Sequence, residues 1–228
     1  MFFYRDARVG DVRVDVAFTD STVDLQGLRS PIATNLPLVE RACGVRFARL
    51  NQRHGAVVVE VTEPGPPPLG DVPDGDALVT TTRGLGLMIR VADCVPVLLA
   101  DPDVGVVGAV HAGRAGVALD IVARAVGRMR AAGAGRLVGW IGPHVCGGCY
   151  EVPDELRAEV AAAVPVTFAQ TTWGTPSLDL GAGVRTQLES ADVDVVEVGG
   201  CTREDARLHS HRRDGAEAGR FAGLVWMS

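Results

Sequence analysis

Three short apolar runs, interrupted by a charged residue and a cysteine, place the strongest limits on how this chain folds. Residues 87–91 and 95–100 are rich in aliphatic and β-branched side chains and are separated by Ala92-Asp93-Cys94. A third run, 106–110, is followed at once by His111. Runs of this length and composition predict buried β-strands. A thiol beside one strand and an imidazole at the end of another can face one pocket, a pairing that metal binding and nucleophilic catalysis both use.

Length, composition and charge narrow the class of protein. The chain has 228 residues, 47% of them hydrophobic, and a mean hydropathy of +0.18, which predicts a single domain with a proper core. The net charge is −6 and the arginines form no basic block, so neither nucleic acid nor an anionic membrane is an expected partner. We expect a small-molecule substrate; the oligomeric state stays open.

The N-terminal residues and the cysteines indicate a compartment. The chain becomes charged at Arg5 before an apolar signal region can form, and no run reaches the roughly 18 apolar residues of a membrane span. An odd number of cysteines, five, favours reduced thiols over a secreted disulfide framework. We therefore expect a cytoplasmic protein.

Hydrophobic periodicity predicts alternating strands and helices. Residues 12–18 alternate as a half-buried strand does, and a helix is predicted to begin at Thr34 or Asn35, with Pro37 in its first turn, and to end at Gly44. Further strands are predicted at 47–50, 57–62, 137–141 and 193–198, and further helices from Val117 to Gly133, at 154–164 and at 180–191.

One segment is predicted to be a stiff surface loop within the domain. Residues 63–76 hold five prolines and three glycines, which neither a helix nor a sheet accommodates. The segments on both sides of it have similar strand character, so it is not taken as a domain boundary. Just before it, residues 51–55 place His54 at a tight connection between two strands.

The residues around Cys94 are compatible with a catalytic zinc site. Asp93 is a charged group between apolar runs, which is costly unless the group is paired or functional. With His54 and His111, Cys94 would provide three protein ligands to Zn²⁺ and leave the fourth position open. The alternative is that Cys94 is simply a small buried residue, as free cysteines often are.

A glycine-rich turn follows His111. Gly113 and Gly116 stand between a strand and a predicted helix, where backbone N–H groups can approach an anion. An ordinary β-to-α turn is equally compatible with this pattern. Arg114, inside the turn, favours the anion site.

Two other motifs contain metal-binding residue types. Residues 146–149 have the CxxC spacing of half a structural zinc site or of a redox motif, but no second CxxC follows. A zinc site would need Cys201 or His144, so a glycine-rich loop with small thiols is the favoured interpretation. His209-Ser210-His211 lies in a polar tract, where a position at a surface or pocket rim is favoured over metal binding.

Six blocks of the sequence resemble, in order, the YfiH-type family, which is also called peptidoglycan editing factor, laccase-domain or multicopper polyphenol oxidase. The blocks are Asp76-Ala77-Leu78-Val79-Thr80, Ala92-Asp93-Cys94-Val95-Pro96-Val97-Leu98-Leu99, His111-Ala112-Gly113, Ile141-Gly142-Pro143 with Tyr150-Glu151-Val152, Cys201-Thr202, and Ser210-His211-Arg212-Arg213-Asp214 with Gly219-Arg220. The resemblance runs from about Asn51 to the C-terminus.

The resemblance implies a fold and an activity. The fold is a single α+β domain with mixed β-sheets packed against helices, related to a toxin-type cysteine hydrolase. The activity is that of a zinc-dependent purine nucleoside phosphorylase acting on adenosine, inosine, guanosine and methylthioadenosine, which also deaminates adenosine. The metal-binding catalytic triad of the family maps onto His54, Cys94 and His111.

Substrate contacts are expected beside that triad. For phosphorolysis, the turn amides and nearby arginines would hold phosphate. The candidate substrate-binding residues are Asp93, Gly113, Arg114, Gly116, Arg212 and Arg213. The chain differs from the family pattern at Arg114 and Ala115, where Trp-Arg is usual, at His211, where tyrosine is usual, and in residues 19–30, where a Gly-Gly-x-Ser segment is missing.

Three other functions compete with this one. A metal-free Cys94/His111 hydrolase would attack an amide or ester and edit a peptidoglycan precursor. A degenerate family member would bind a nucleoside or a partner protein without turnover. A copper oxidase is the weakest candidate, because five histidines cannot supply a multicopper cluster.

Overall fold

The computed structural model describes residues 1–26 and 31–228, which form an α+β fold. The strands are β1 (Phe2–Val9), β2 (Arg13–Thr19), β3 (Arg46–Ala48), β4 (Val58–Glu60), β5 (Ala77–Thr80), β6 (Leu85–Val91), β7 (Val95–Asp101), β8 (Val106–Ala112), β9 (Leu137–Ile141), β10 (Phe168–Gln170), β11 (Pro176–Leu178), β12 (Val193–Glu197) and β13 (Phe221–Met227). The α-helices are α1 (Pro31–Cys43), α2 (Arg114–Ala118), α3 (Ile121–Ala131), α4 (Asp154–Ala163), α5 (Leu180–Ser190) and α6 (His211–Asp214).

The strands form two mixed sheets and a small hairpin. The first sheet has the order β1-β2-β13-β6-β3 and is antiparallel except where β3 pairs with β6. The second has the order β12-β9-β7-β8-β5-β4, with parallel pairs at its two edges. Strands β10 and β11 pair with each other. The predicted α+β class with mixed sheets is confirmed.

The two sheets pack face to face, with helices on their outer faces. Side chains alternate along each strand, so Leu87 and Ile89 of β6 point into the core between the sheets while Met88 packs on the side of α1. Leu98 of β7 enters the same inter-sheet core, and its neighbour Leu99 packs with α3 and α5. This arrangement leaves the ends of β6, β7 and β8 together at one rim.

The structure corrects two helix predictions. Helix α1 begins at Pro31, so Pro37 lies in its interior and not in its first turn. Proline suits the first helical position, and the helix buries Ile32, Leu36 and Val39 despite Pro37. The predicted helix after Val117 is two helices, because Asp120 adopts a left-handed conformation with φ 55° and caps α3 through Ala123 N.

Several other expectations can be compared directly with the structure. Residues 63–76 contain no helix or strand, as predicted, and all five cysteines are free. The sequence patterns did not predict strands β1, β10, β11 and β13. In the part of the chain that is described, none of the helices has both the length and the apolar character that a membrane span needs.

Candidate metal centre

His111 stands at the end of β8 and is held by Asp76. Its imidazole is buried, and Nδ1 lies 2.8 Å from Asp76 Oδ1. The His111 backbone N–H also donates to the Asp76 carbonyl oxygen at 2.7 Å. Because Nδ1 is engaged by the carboxylate, Nε2 is the nitrogen available to a ligand.

Asp76 also fixes the loop that carries His54. Its carboxylate accepts the backbone N–H of His54 at 2.9 Å and of Gly55 at 2.7 Å. Burial by itself would raise the pKa of Asp76, but hydrogen bonds from His111, Gly55 and His54 lower that pKa below its usual value. His54 has φ 60°, a conformation that is uncommon for residues other than glycine and that these hydrogen bonds help to maintain.

Cys94 is presented by a turn that Asp93 organises. Asp93 connects β6 to β7 with φ 96°, also unusual for a non-glycine residue. Its buried carboxylate accepts hydrogen bonds from Thr202 Oγ1 at 2.6 Å, Ser210 Oγ at 2.7 Å and the Arg212 backbone N–H at 2.7 Å. These three donors offset the cost of burying the charge and set the position of the neighbouring thiol.

The three predicted ligands come together. One ligand atom each from His54, Cys94 and His111 lies within 4.8 Å of the others, and the two imidazole rings are 4.7 Å apart at an interplanar angle of 79°. Gly113 permits this approach, because a Cβ there would lie 2.8 Å from His54 Cδ2 and 3.2 Å from Cys94 Sγ. Two imidazoles and a thiol form a donor set that can hold a metal ion such as zinc.

The thiol and the imidazole alter each other's protonation when no metal is bound. Burial would raise the pKa of Cys94, but His111 and His54 lower it to about 6. Burial would lower the pKa of His111, but Cys94 and Asp76 raise it to about 9. Both shifts act in the direction that favours a thiolate beside an imidazolium.

The triad opens into a cavity of about 740 Å³. Pro68, Leu69 and Gly70, from the proline-rich loop, form part of its wall. Tyr150 lines it as well, with the Arg212 guanidinium 4.6 Å from the centre of its ring. The volume is sufficient for a small organic ligand.

Three further arginines add positive charge to the wall of the cavity. Arg49, Arg90 and Arg220 line it, and their guanidinium groups donate to backbone carbonyls; within the described residues none of the three forms an ion pair. Burial lowers the pKa of Arg90 to about 10, and the charges of Arg49 and Arg220 contribute. Guanidinium groups that line a cavity without a carboxylate in an ion pair favour an anionic ligand.

The predicted substrate-binding residues lie at different distances from this cavity. Arg114, Arg212 and Asp93 line it, and Gly113 contacts the triad. Gly116 lets α2 pack against the His54 loop, since a Cβ there would lie 3.1 Å from the Gly55 carbonyl oxygen.

Arg213 is placed differently from the other predicted residues. It does not line the cavity; its guanidinium donates to the Thr202 and Leu208 carbonyls and pairs with Asp214. The geometry therefore favours a scaffold role for Arg213. Helix α2 has only five residues, which weakens the case for an anion site at its N-terminus.

Sequence reasoning overlooked several residues of the site. Asp76 was noted only as part of a sequence block and was given no role. Like Asp93, it is a carboxylate next to an apolar run, a position that indicates a paired or functional charge. Arg49 and Arg90 are charged residues within or beside apolar runs, and this position also indicates a paired or functional charge. Tyr150 and Arg220 carry no comparable local signal.

The fold and the site define an α+β protein with a Cys/His cluster, able to hold a metal ion, at the floor of an arginine-lined cavity. A family model described as multi-copper polyphenol oxidoreductase laccase matches residues 16–228. The chain belongs to this family.

Named proteins are similar to most of this chain. A Streptomyces coelicolor protein named purine nucleoside phosphorylase is 50% identical over 204 residues, covering 86% of this chain and 82% of that protein. A Deinococcus radiodurans protein with the same name is 40% identical and covers 86% of this chain and 77% of its own length.

Solved structures share the whole architecture. The crystal structure of Neisseria meningitidis protein NMB0706 superposes with a TM-score of 0.83 at 27% identity, covering 100% of this chain and 99% of that one. The structure of YlmD from Geobacillus stearothermophilus gives a TM-score of 0.81 at 26% identity, covering 99% and 92%.

Proposed function

We propose that this chain is a zinc-dependent purine nucleoside phosphorylase that also deaminates adenosine. The observation that carries the proposal is the convergence of His54, Cys94 and His111, with ligand atoms within 4.8 Å of one another, at a cavity lined by arginines. The proposed substrates are adenosine, inosine, guanosine and methylthioadenosine. A relative that is 50% identical carries the name purine nucleoside phosphorylase, which supports this choice.

Zinc suits the donor set better than copper does. Zinc in catalytic sites commonly takes three protein ligands from histidine, cysteine and carboxylate and keeps one position open. A multicopper centre needs more histidines than the two in this cluster. The Asp76–His111 hydrogen bond is the kind of outer contact that orients a metal-binding imidazole. When bound, zinc supplies a Lewis acid for polarising the substrate or activating water.

The arginines provide for the second substrate, phosphate. Phosphorolysis requires a bound phosphate beside the ribose, and the cavity offers Arg114 and Arg212 near the triad together with Arg49, Arg90 and Arg220. Guanidinium groups recognise phosphate oxygens in pairs of hydrogen bonds. Tyr150 provides an aromatic wall in the same cavity, compatible with a purine base.

The experiment is a product analysis of purified protein with its zinc content quantified. Adenosine is incubated with and without phosphate, and the products are separated. Free adenine that requires phosphate supports the phosphorylase, and inosine formed in either condition supports the deaminase. Neither product at full zinc occupancy would refute the proposal.

Variants connect the products to the site. His54→Ala should abolish turnover and lower zinc content, whereas His209→Gln, a conservative change outside the cavity, should do neither. Arg114→Ala should raise the KM for phosphate, with Arg136→Ala on the exposed surface as the control. An unchanged phosphate KM in Arg114→Ala would refute that placement.

One observation favours a second function. Asp76 contacts His111, and His111 contacts Cys94. In a hydrolase, Asp76 would orient His111, His111 would act as the base, and Cys94 would be the nucleophile. The pKa of the Cys94 thiol is lowered to about 6. This arrangement fits a metal-free hydrolase of an amide or ester. Activity that survives a chelator but is lost on alkylation of Cys94 would favour the hydrolase over the zinc enzyme.

A further inference from the structure

A second group of cysteines lies outside the cavity described above. Residues 146–149 and 201–204 form two tight turns with the same spacing, Cys-x-x-Cys and Cys-x-x-Glu. In the first, the Cys149 backbone N–H donates to the Cys146 carbonyl at 2.9 Å, and in the second the Glu204 N–H donates to the Cys201 carbonyl at 3.1 Å. Each turn therefore presents the side chains of its first and fourth residues.

The backbone brings these two turns together, although they are 55 positions apart. His144 and Cys201 form a parallel bridge, with the Thr202 N–H donating to the His144 carbonyl at 3.0 Å. The Cys146 N–H lies 3.4 Å from Cys201 Sγ, and Cys149 Sγ lies 3.4 Å from Glu204 Oε1. One ligand atom from each of the four side chains lies within 4.8 Å of the other three.

We propose that Cys146, Cys149, Cys201 and Glu204 form a structural site for a borderline-soft divalent cation, with Zn²⁺ as the natural occupant. Zinc–sulfur bonds of about 2.3 Å in a tetrahedral shell place sulfur atoms about 3.8 Å apart. Ligand atoms already within 4.8 Å of one another reach that separation by small side-chain rotations. Four protein ligands fill the shell, which is typical of structural sites and leaves no position for a substrate.

The position of this site indicates what the metal would stabilise. The turn at 146–149 follows Val145, whose N–H donates to the Asp93 carbonyl at 3.0 Å. The turn at 201–204 contains Thr202, whose hydroxyl donates to the Asp93 carboxylate at 2.6 Å. Tyr150, next to Cys149, lines the main cavity. The cation would thus hold together the two loops that support the turn carrying Cys94.

Cobalt substitution tests the proposal independently of the proposed function. The full chain with Cys94→Ser has no thiolate at the first metal centre, so any thiolate-to-cobalt charge-transfer absorption must come from other cysteines. We expect this absorption to saturate at one equivalent of Co²⁺, to disappear on adding Zn²⁺, and to be lost in Cys94→Ser/Cys149→Ser. Cys94→Ser/Cys43→Ser is the matched control and should retain it, because Cys43 lies in α1 on the far side of the first sheet.

Two outcomes would overturn the site. One is the absence of charge-transfer absorption in reduced Cys94→Ser protein, and the other is its full retention after Cys149→Ser. A thiol count on denatured wild-type protein purified without reductant gives a second measurement, which does not depend on the folding of any variant. Five reactive thiols support the metal site, and three indicate a disulfide in its place.

Discussion

At the scale of single residues, Asp76 has the widest influence on the candidate metal centre. It joins His111 through a side-chain hydrogen bond and the His54 loop through two backbone donors. A buried carboxylate that accepts three hydrogen bonds fixes the orientation of the imidazole and determines which of its two nitrogens carries the proton. The two candidate histidine ligands, which lie far apart in the chain, therefore depend on one residue that is not itself a candidate ligand.

Asp76→Asn should weaken metal binding while leaving the ligands in place. The amide cannot accept all three donors, and the loss of such outer contacts commonly costs about 10- to 100-fold in metal affinity. The measurement is the zinc Kd by competition with a chelating dye. Asp74→Asn, at an exposed neighbour that bonds Asn51, is the control and should leave the affinity unchanged. Equal affinities for wild type and Asp76→Asn would contradict this role.

In protein free of metal, Cys94 should react as a thiolate at unusually low pH. Its pKa of about 6 lies below the value of about 8.5 for a free thiol, and the thiolate is the nucleophile, so alkylation should rise with pH through about 6 and then level off. The measurement is the rate of iodoacetamide labelling, followed by mass spectrometry. Burial raises the pKa of Cys43 to about 11, so that residue serves as the slow internal control. A midpoint between pH 8 and 9 would contradict the prediction.

At the scale of elements, the connection from β8 to α2 decides whether the ligands can meet. Gly113 has φ −80°, which any residue adopts, so its glycine is required by space and not by backbone conformation. The missing Cβ leaves room for His54 and Cys94 on one side of the turn. Gly116 likewise leaves room for the Gly55 carbonyl oxygen, which would lie 3.1 Å from a Cβ at that position.

Gly113→Ala should therefore damage the metal centre more than the fold. The added methyl group would lie 2.8 Å from His54 Cδ2, which forces the imidazole away from the thiol, so zinc content should fall. Gly127→Ala in α3 is the matched control, because nothing lies within 4 Å of its Cβ. That change should raise the free energy of unfolding by about 0.5–1 kcal/mol. Full zinc content in Gly113→Ala would refute the steric argument.

Local patterns predicted some elements and missed others for identifiable reasons. Strands β6, β7 and β8 follow from dense apolar runs bounded by turn residues. Strand β13 shows no alternation because it is buried on both faces at the centre of the first sheet, but its run at 221–227 is as apolar as those of β7 and β8 and was overlooked. Strand β1 is half-buried along its length and shows no alternation either. The break between α2 and α3 depends on the left-handed Asp120, which periodicity does not reveal.

At the scale of the whole molecule, the core between the two sheets carries the rigidity on which the site depends. Leu98 of β7 is fully buried there, four positions after Cys94, which directly precedes that strand. Leu98→Ala should lower the free energy of unfolding by about 2–5 kcal/mol, because it removes buried methyl groups and leaves a cavity. The measurement is equilibrium unfolding in urea. Val104→Ala, at a side chain that is 55% exposed, should change stability by less than about 0.5 kcal/mol. Equal losses for both variants would contradict this view of the core.

The amino-acid sequence by itself determined the α+β class, the buried strands around Cys94 and the three candidate ligands His54, Cys94 and His111. The α+β class is what the resemblance to the family implies, whereas the strands and the candidate ligands follow from residue chemistry and local periodicity, which are properties of short segments. Only the tertiary structure decided that Asp76 reaches His111, that Arg49, Arg90 and Arg220 share one cavity, and that Cys201 meets the turn at 146–149. Such contacts join residues tens of positions apart, and their distances depend on how the two sheets pair and pack, which no local pattern specifies.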